Sequence, residues 1–126
     1  MSNKRLVIIE SPYAGDIELN VRYARACMKD SLLRGEAPFL SHLLYTQDGV
    51  LDDSVQEQRQ LGIDSGLAWR RVADATIVYH DLGISPGMEY GIEVARKSGK
   101  DIEYRQLEWS EFIDALKSKQ VKQENK

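Results

Sequence analysis

Two short stretches combine residue types that can hold an anion: SPYAGD, from Ser11 to Asp16, and DLGISPGMEYGIEVA, from Asp81 to Ala95. Each leaves an apolar run and enters a helical pattern through Gly, Ser and Pro. A helix that starts there aims its first free N–H groups back at the loop, where roughly half a positive charge gathers. Ser11, Gly15, Ser85 and Gly87, with Met88 beside them, could therefore cradle a phosphate or a carboxylate. The same residue types also serve simply as helix caps, so the pattern alone leaves both roles open.

Other residues could complete such a site. His42, in LSHLLYTQ, follows the second apolar run and could contact a ligand or make a structural hydrogen bond. Tyr13 and Tyr79 are candidate walls for a purine or a ribose, because an aromatic face stacks on a base at little entropic cost. Arg105, in EYRQ, could neutralise a second phosphate or sit in an ion pair. Trp69 falls at helical spacing toward the core and reads as packing. With two histidines, one cysteine and no paired spacing, neither a metal site nor a cofactor is expected. Cys27 lies in a helical apolar stripe and reads as a small buried hydrophobe, which suits a reducing compartment.

The elements that must position these residues alternate between two periodicities. RLVIIE (5–10), APFLS (37–41), ATIVYHD (75–81) and DIEYRQL (101–107) are short apolar runs bounded by turn signals, and read as buried strands. Between them, Asp16 caps a helix carrying Ile17, Val21, Ala24 and Met28 on one stripe and ending near Gly35. The stretch 42–53 reads as a long loop. Ser54, with Glu57 three residues on, forms a capping-box pattern for a helix over 54–72. A further helix spans Gly87–Ser98 and closes at Gly99, and a last one, capped by Ser110, covers 109–118. Strands alternating with helices through short connections predict a single domain over 1–118 with a flexible tail at 119–126. The expected fold is α/β, a three-layer sandwich around a parallel sheet of four or five strands. In such a sheet ligands bind beyond the carboxyl ends of the strands.

Composition narrows the partners. The 126 residues are 42% hydrophobic and 29% charged, with a formal net charge of -3. No basic surface advertises itself for a nucleic-acid polymer, no stretch approaches the roughly 20 apolar residues of a membrane span, and the N-terminus is too short for a signal peptide. A cytoplasmic protein is expected.

Taken together, SPYAG, HLLYTQ, GLAW followed by ADATIVY, and SPGMEYGIE resemble the nucleoside 2-deoxyribosyltransferase-like superfamily, closest to a branch found in bacteria and their phages. The resemblance runs from Ser11 to Arg105. It implies a flavodoxin-like (Rossmann-like) domain, a homodimer or higher homo-oligomer, and a pocket for a nucleoside or nucleotide. It also implies a Glu nucleophile four residues after the glycine of the Ser-x-Gly turn, and an Asp seven residues before the Ala of the AD pair. Carried onto this chain, the phosphate-binding pair falls on Ser85 and Gly87, but the two carboxylate positions fall on Gly91 and Gly66. An oxocarbenium-like transition state needs a nearby carboxylate. The fallback acids are Glu89, Asp81 and Asp64. Glu89 and Asp64 each stand two residues from a vacated position, about 200° away around a helix, and point to the other side.

The two glycines predict a pocket emptied of side-chain volume and of negative potential, open to a bulkier or more anionic ligand. Gly62 and Gly66, four apart, could alternatively serve close packing. The leading expectation is a protein that binds a nucleoside phosphate or nucleotide-derived molecule, to sequester or sense it, without the usual glycosidic cleavage. The alternatives are an active nucleotide N-glycosidase or deoxyribosyltransferase with relocated carboxylates, and an oligomeric scaffold with a vestigial pocket.

Overall fold

The computed structural model describes residues 3–107. The expected helix over 109–118 and the tail at 119–126 lie outside the described residues. β1 (Leu6–Glu10), β2 (Ala37–Phe39), β3 (Ala75–Tyr79) and β4 (Asp101–Arg105) form one parallel sheet in the order β2-β1-β3-β4. With α1 (Ile17–Leu33), α2 (Ser41–Leu44), α3 (Gln56–Arg70) and α4 (Pro86–Lys97) the chain is an α/β, flavodoxin-like three-layer sandwich. The predicted fold class holds, with four strands among the described residues.

Strand alternation divides the interior into two cores. Val7, Ile9, Ile77 and Tyr79 face α1, where they pack with Tyr23, Ala24 and Cys27. On the opposite face Val78 meets Met88 and Ile92 of α4. β3 is buried along its whole length, as a central strand of a parallel sheet must be. The α1 stripe is rotated from its expected phase: Asn20, Tyr23, Ala24, Cys27 and Asp30 are buried while Ile17 is 48% exposed. Polar residues occupy that face because each finds an internal partner. Asn20 Nδ2 donates to the Tyr13 and Ala14 carbonyls, and Asp30 accepts from Tyr79.

Two helix starts differ in how they are made. Asp16 caps α1 as expected, accepting from the Leu19 amide at 3.1 Å. Ser54 does not cap α3. Its amide and its hydroxyl both go to Asp52 Oδ1, and the helix begins two residues later behind Val55 without a side-chain cap. The loop expected over 42–53 contains the short α2. Trp69 is half exposed instead of core-packed, with its ring 5.1 Å from that of Phe39 and its indole N–H bonded to Tyr45 Oη. At the other end of α3, Lys100 Nζ donates to the carbonyls of Arg70, Arg71 and Ala73, closing a helix terminus that no glycine closes.

No helix among the described residues is long and apolar enough to cross a membrane.

Candidate functional site

The chain changes direction across the sheet between β1 and β3, so their carboxyl ends diverge and leave a crevice. A cleft of about 780 Å³ opens there. Its floor is Glu10 and Ser11 at the end of β1, one wall is α2 and the inner face of α3, and the other is the first turns of α4. The volume suits a small molecule of nucleotide size.

Most of the expected binding residues line this cleft: Ser11, Tyr13, His42, Gly66, Ser85, Gly87, Met88 and Gly91. Ser85 is the N-cap of α4, its Oγ accepting from the Met88 amide at 3.2 Å while its own amide points to the Met88 thioether. This arrangement narrows the cradle. Pro86 has no amide hydrogen, and the Met88 and Glu89 amides go to Ser85, leaving the Gly87 N–H as the open donor of the first turn.

Gly15, Tyr79 and Arg105 are not brought to the cleft. Gly15 holds φ at +100° to turn the chain into α1, and the Asp16 carboxylate already occupies that helix terminus, where it would repel a second anion. Tyr79 is fully buried in the α1-facing core, its hydroxyl donating to Asp30 and accepting from Arg105. Arg105 forks onto both oxygens of Glu36 at 2.9 and 3.1 Å and also meets Glu103, so it closes a structural network instead of awaiting a phosphate. That fork, together with the Ser31 hydroxyl, holds the Glu36 carboxyl below the usual range.

The fallback acids likewise lie away from the cleft. Asp81 accepts from Tyr23 Oη at 2.6 Å and from the Leu107 amide, tying the exit of β3 to α1. Asp64 is exposed and bonded to Gln60, and Glu89 is exposed on α4. None of the three lines the cleft.

A carboxylate does reach the site, from a residue the sequence did not single out. Glu10, the last residue of β1, shares the α4 face of its strand with Ile8, opposite to Val7 and Ile9. Its Oε1 accepts from Arg70 Nη2, and the other guanidinium arm, Nη1, donates to Thr76 Oγ1 at 3.0 Å. The two side chains are only 13% and 14% exposed, Arg70 and Glu10 respectively. Burial outweighs the pull of Arg70 and raises the Glu10 carboxyl to about 7.

This arrangement explains the glycine at 91 and corrects one expectation. A Cβ on Gly91 would stand 2.1 Å from Glu10 Oε1 and 2.5 Å from its Cδ. A Cβ on Gly66 would stand 2.9 Å from both Cβ and Oγ of Ser41. The two positions are therefore not empty pocket. Ser41 fills one, and the Glu10 carboxyl, held by Arg70, fills the other from the strand side. Close approach, the alternative reading of Gly66, is what the geometry gives, though it serves the start of α2 and not the sheet.

Beside Glu10, Ser11 Oγ lies 2.7 Å from His42 Nε2. The spacing is that of a nucleophile and its base, but the electrostatics are not. Desolvation lowers the His42 ring to about 4, and among the described residues no carboxylate bonds the ring to stabilise an imidazolium. The pair is a neutral hydrogen-bonding unit on the cleft wall. Arg59 of α3 lies exposed on the cleft lining, without an ion-pair partner among the described residues. Among those residues no three His, Cys, Asp or Glu side chains gather as a metal-holding group.

A comparison with curated proteins gives no match. Residues 5–105, which contain every strand and helix described and the whole cleft, match the family model described as Domain of unknown function (DUF7768), and the chain belongs to that family.

Proposed function

We propose that this protein binds a nucleoside phosphate or a related nucleotide-derived molecule in the cleft at the β1/β3 switch point. The observation that carries the reading is the convergence, in one cleft of about 780 Å³, of a helix N-terminus with an open Gly87 amide, Arg59, which has no ion-pair partner among the described residues, and the rings of Tyr13, Tyr45 and Tyr90. An anion is served by the amide and the guanidinium, and a base by the rings. Arg59 takes the part expected of Arg105. Thermal-shift screening with mono-, di- and cyclic nucleotides tests the reading, since a ligand at 100 times its Kd adds about 2.7 kcal/mol of stability. Mass spectrometry of small molecules released on denaturing protein purified from cells identifies the natural occupant. No shift with any of them, and no released nucleotide, refutes the reading and favours a scaffold.

A second reading is favoured by one observation, the Glu10 carboxylate standing where a side chain at 91 would be. On this reading the glycosidic bond of a bound deoxynucleotide is cleaved with Glu10 as the carboxylate that faces the sugar. Release of free base on incubation with deoxynucleotides, lost in Glu10→Gln, supports it. Intact nucleotide after prolonged incubation rules it out.

A further inference from the structure

The Glu10 carboxylate has one oxygen committed and one open. Oε1 is held by Arg70, whereas Oε2 has no hydrogen-bond partner among the described residues. It is not sealed in either, because no buried side-chain oxygen or nitrogen among those residues lacks a partner. Glu10 lines the cleft, so a ligand there lies beside this carboxylate with its uncommitted oxygen. A carboxylate is an acceptor only and is repelled by a ligand's phosphate, so its complement on a ligand is a hydrogen-bond donor.

The fold also fixes where that donor must be. Glu10 meets α4 at Gly91, six residues beyond the Ser85 cap, which is roughly 9 Å along the helix axis at 1.5 Å per residue. A ligand with its anion at the first turn of α4 must therefore reach Glu10 with a part well removed from that anion. Arg70 keeps the carboxylate from swinging toward it, and Gly91 leaves the room in which it is held.

Resting on the nucleotide reading above, we propose that Glu10 is the specificity-determining residue of the cleft, accepting on its open oxygen from a hydrogen-bond donor at the end of the nucleotide remote from its phosphate. Two parts of a nucleotide offer such donors: the N–H groups of a guanine-type base edge and the hydroxyls of a ribose. Each hydrogen bond to a charged acceptor contributes about 1.5–3 kcal/mol, so deleting one donor costs about ten- to hundredfold in affinity.

The test is calorimetric titration of the full chain at pH 8 with GMP, with IMP, which lacks the exocyclic amine, and with dGMP, which lacks the 2′-hydroxyl. A loss of tenfold or more for IMP assigns the base edge, and the same loss for dGMP assigns the ribose. In Glu10→Gln, and in the charge-free Glu10→Gln/Arg70→Met pair, the difference disappears. A third readout needs no variant. Protonation of Glu10, whose carboxyl burial raises to about 7, removes the acceptor, so the wild-type ratio shrinks between pH 8 and pH 5.5. Phosphate titration is common to all three ligands and cancels in the ratio. The other charged and titratable groups on the cleft are Arg70 and Arg59 from α3, Asp53 ahead of it, His42 from α2 and Tyr13, Tyr45 and Tyr90. His42, lowered to about 4, stays neutral across this range. Equal binding of all three nucleotides, or a ratio that persists at pH 5.5, overturns the assignment of Glu10 while leaving nucleotide binding intact. No binding of any of the three by the wild type overturns this inference, and the nucleotide reading falls with it only if the mono-, di- and cyclic nucleotides of the thermal-shift panel give no shift either.

Discussion

Replacing Gly91 with alanine sets two effects of opposite sign against each other. In the interior of α4 the change adds a better helix former and should stabilise by up to about 1 kcal/mol. The new Cβ, however, would stand 2.1 Å from Glu10 Oε1 and 2.8 Å from Arg70 Nη2, so the carboxylate must leave. Breaking a buried ion pair costs about 3–5 kcal/mol, and the open side of the cleft lowers this to roughly 2–4 kcal/mol by admitting water to the parted groups. The expected net is a destabilisation of about 1–3 kcal/mol. In a Glu10→Ala background the nearest group the new Cβ meets is the end of the Arg70 side chain, which can turn into the cleft. There it should be neutral or stabilise by up to about 1 kcal/mol. Urea unfolding of wild type, Gly91→Ala, Glu10→Ala and the double variant, with slopes checked for equality, measures all four corners of this cycle. The reasoning fails if Gly91→Ala stabilises the wild type, or if its effect agrees in the two backgrounds within about 0.5 kcal/mol.

The pH dependence of stability should contain two opposed contributions. Glu10, raised to about 7 when folded, contributes stability that is present below its ordinary value of 4.5 and lost as pH rises through 7. His42, lowered to about 4, contributes stability that is present above 6.5 and lost as pH falls through 4. The wild type should therefore change little between about pH 4.5 and 6.5. Glu10→Gln should lose roughly 2–3 kcal/mol on acidification across that window, and His42→Gln should lose a similar amount on raising the pH; identical profiles for the two variants in urea titrations would refute this. Glu36 and Glu103, held low by hydrogen bonds from Arg105 and Arg5, add an acid sensitivity common to all variants. Gly66→Ala should cost about 1–3 kcal/mol by pressing on Ser41, and Ser41→Gly should recover most of it, measured by the same unfolding assay. Lys100→Met strips three carbonyls at the end of α3 of their cation and should cost about 1–3 kcal/mol; an unchanged urea midpoint would show that water replaces it.

What could be read from the sequence was whatever a short window encodes. LVIIE and ATIVY are apolar, β-branched and flanked by turn residues, and both are strands. Asp16 and Ser85 cap the helices they precede because nothing nearby competes for their oxygens. Ser54 does not cap because its hydroxyl and its amide both donate back to Asp52, two residues away, which turns the side chain from the helix start. The site divides along the same line. The cleft-facing loops are local, and Ser11, Tyr13, His42, Ser85 and Gly87 all line it. Tyr79 and Arg105 lie away from the cleft because their partners, Asp30 of α1 and Glu36 ahead of β2, are distant in sequence and meet them only in the fold, where the β3/β4 register sets Tyr79 beside Arg105. Glu10 was missed for a related reason. Its partner Arg70 is 60 residues away, and it closes an otherwise apolar strand, where a polar residue looks like a strand end. Two local signals did bear on it. Alternation along LVIIE puts Glu10 with Ile8 on the α4 face. Gly91, in the middle of a helix whose other positions are well filled, also had to be making room for something. A glycine facing a cleft can mean a vacancy for ligand or a space taken by another side chain. These have opposite consequences for the charge inside the cleft, and here a side chain takes the space: the Glu10 carboxyl of β1 stands against Gly91, held by Arg70.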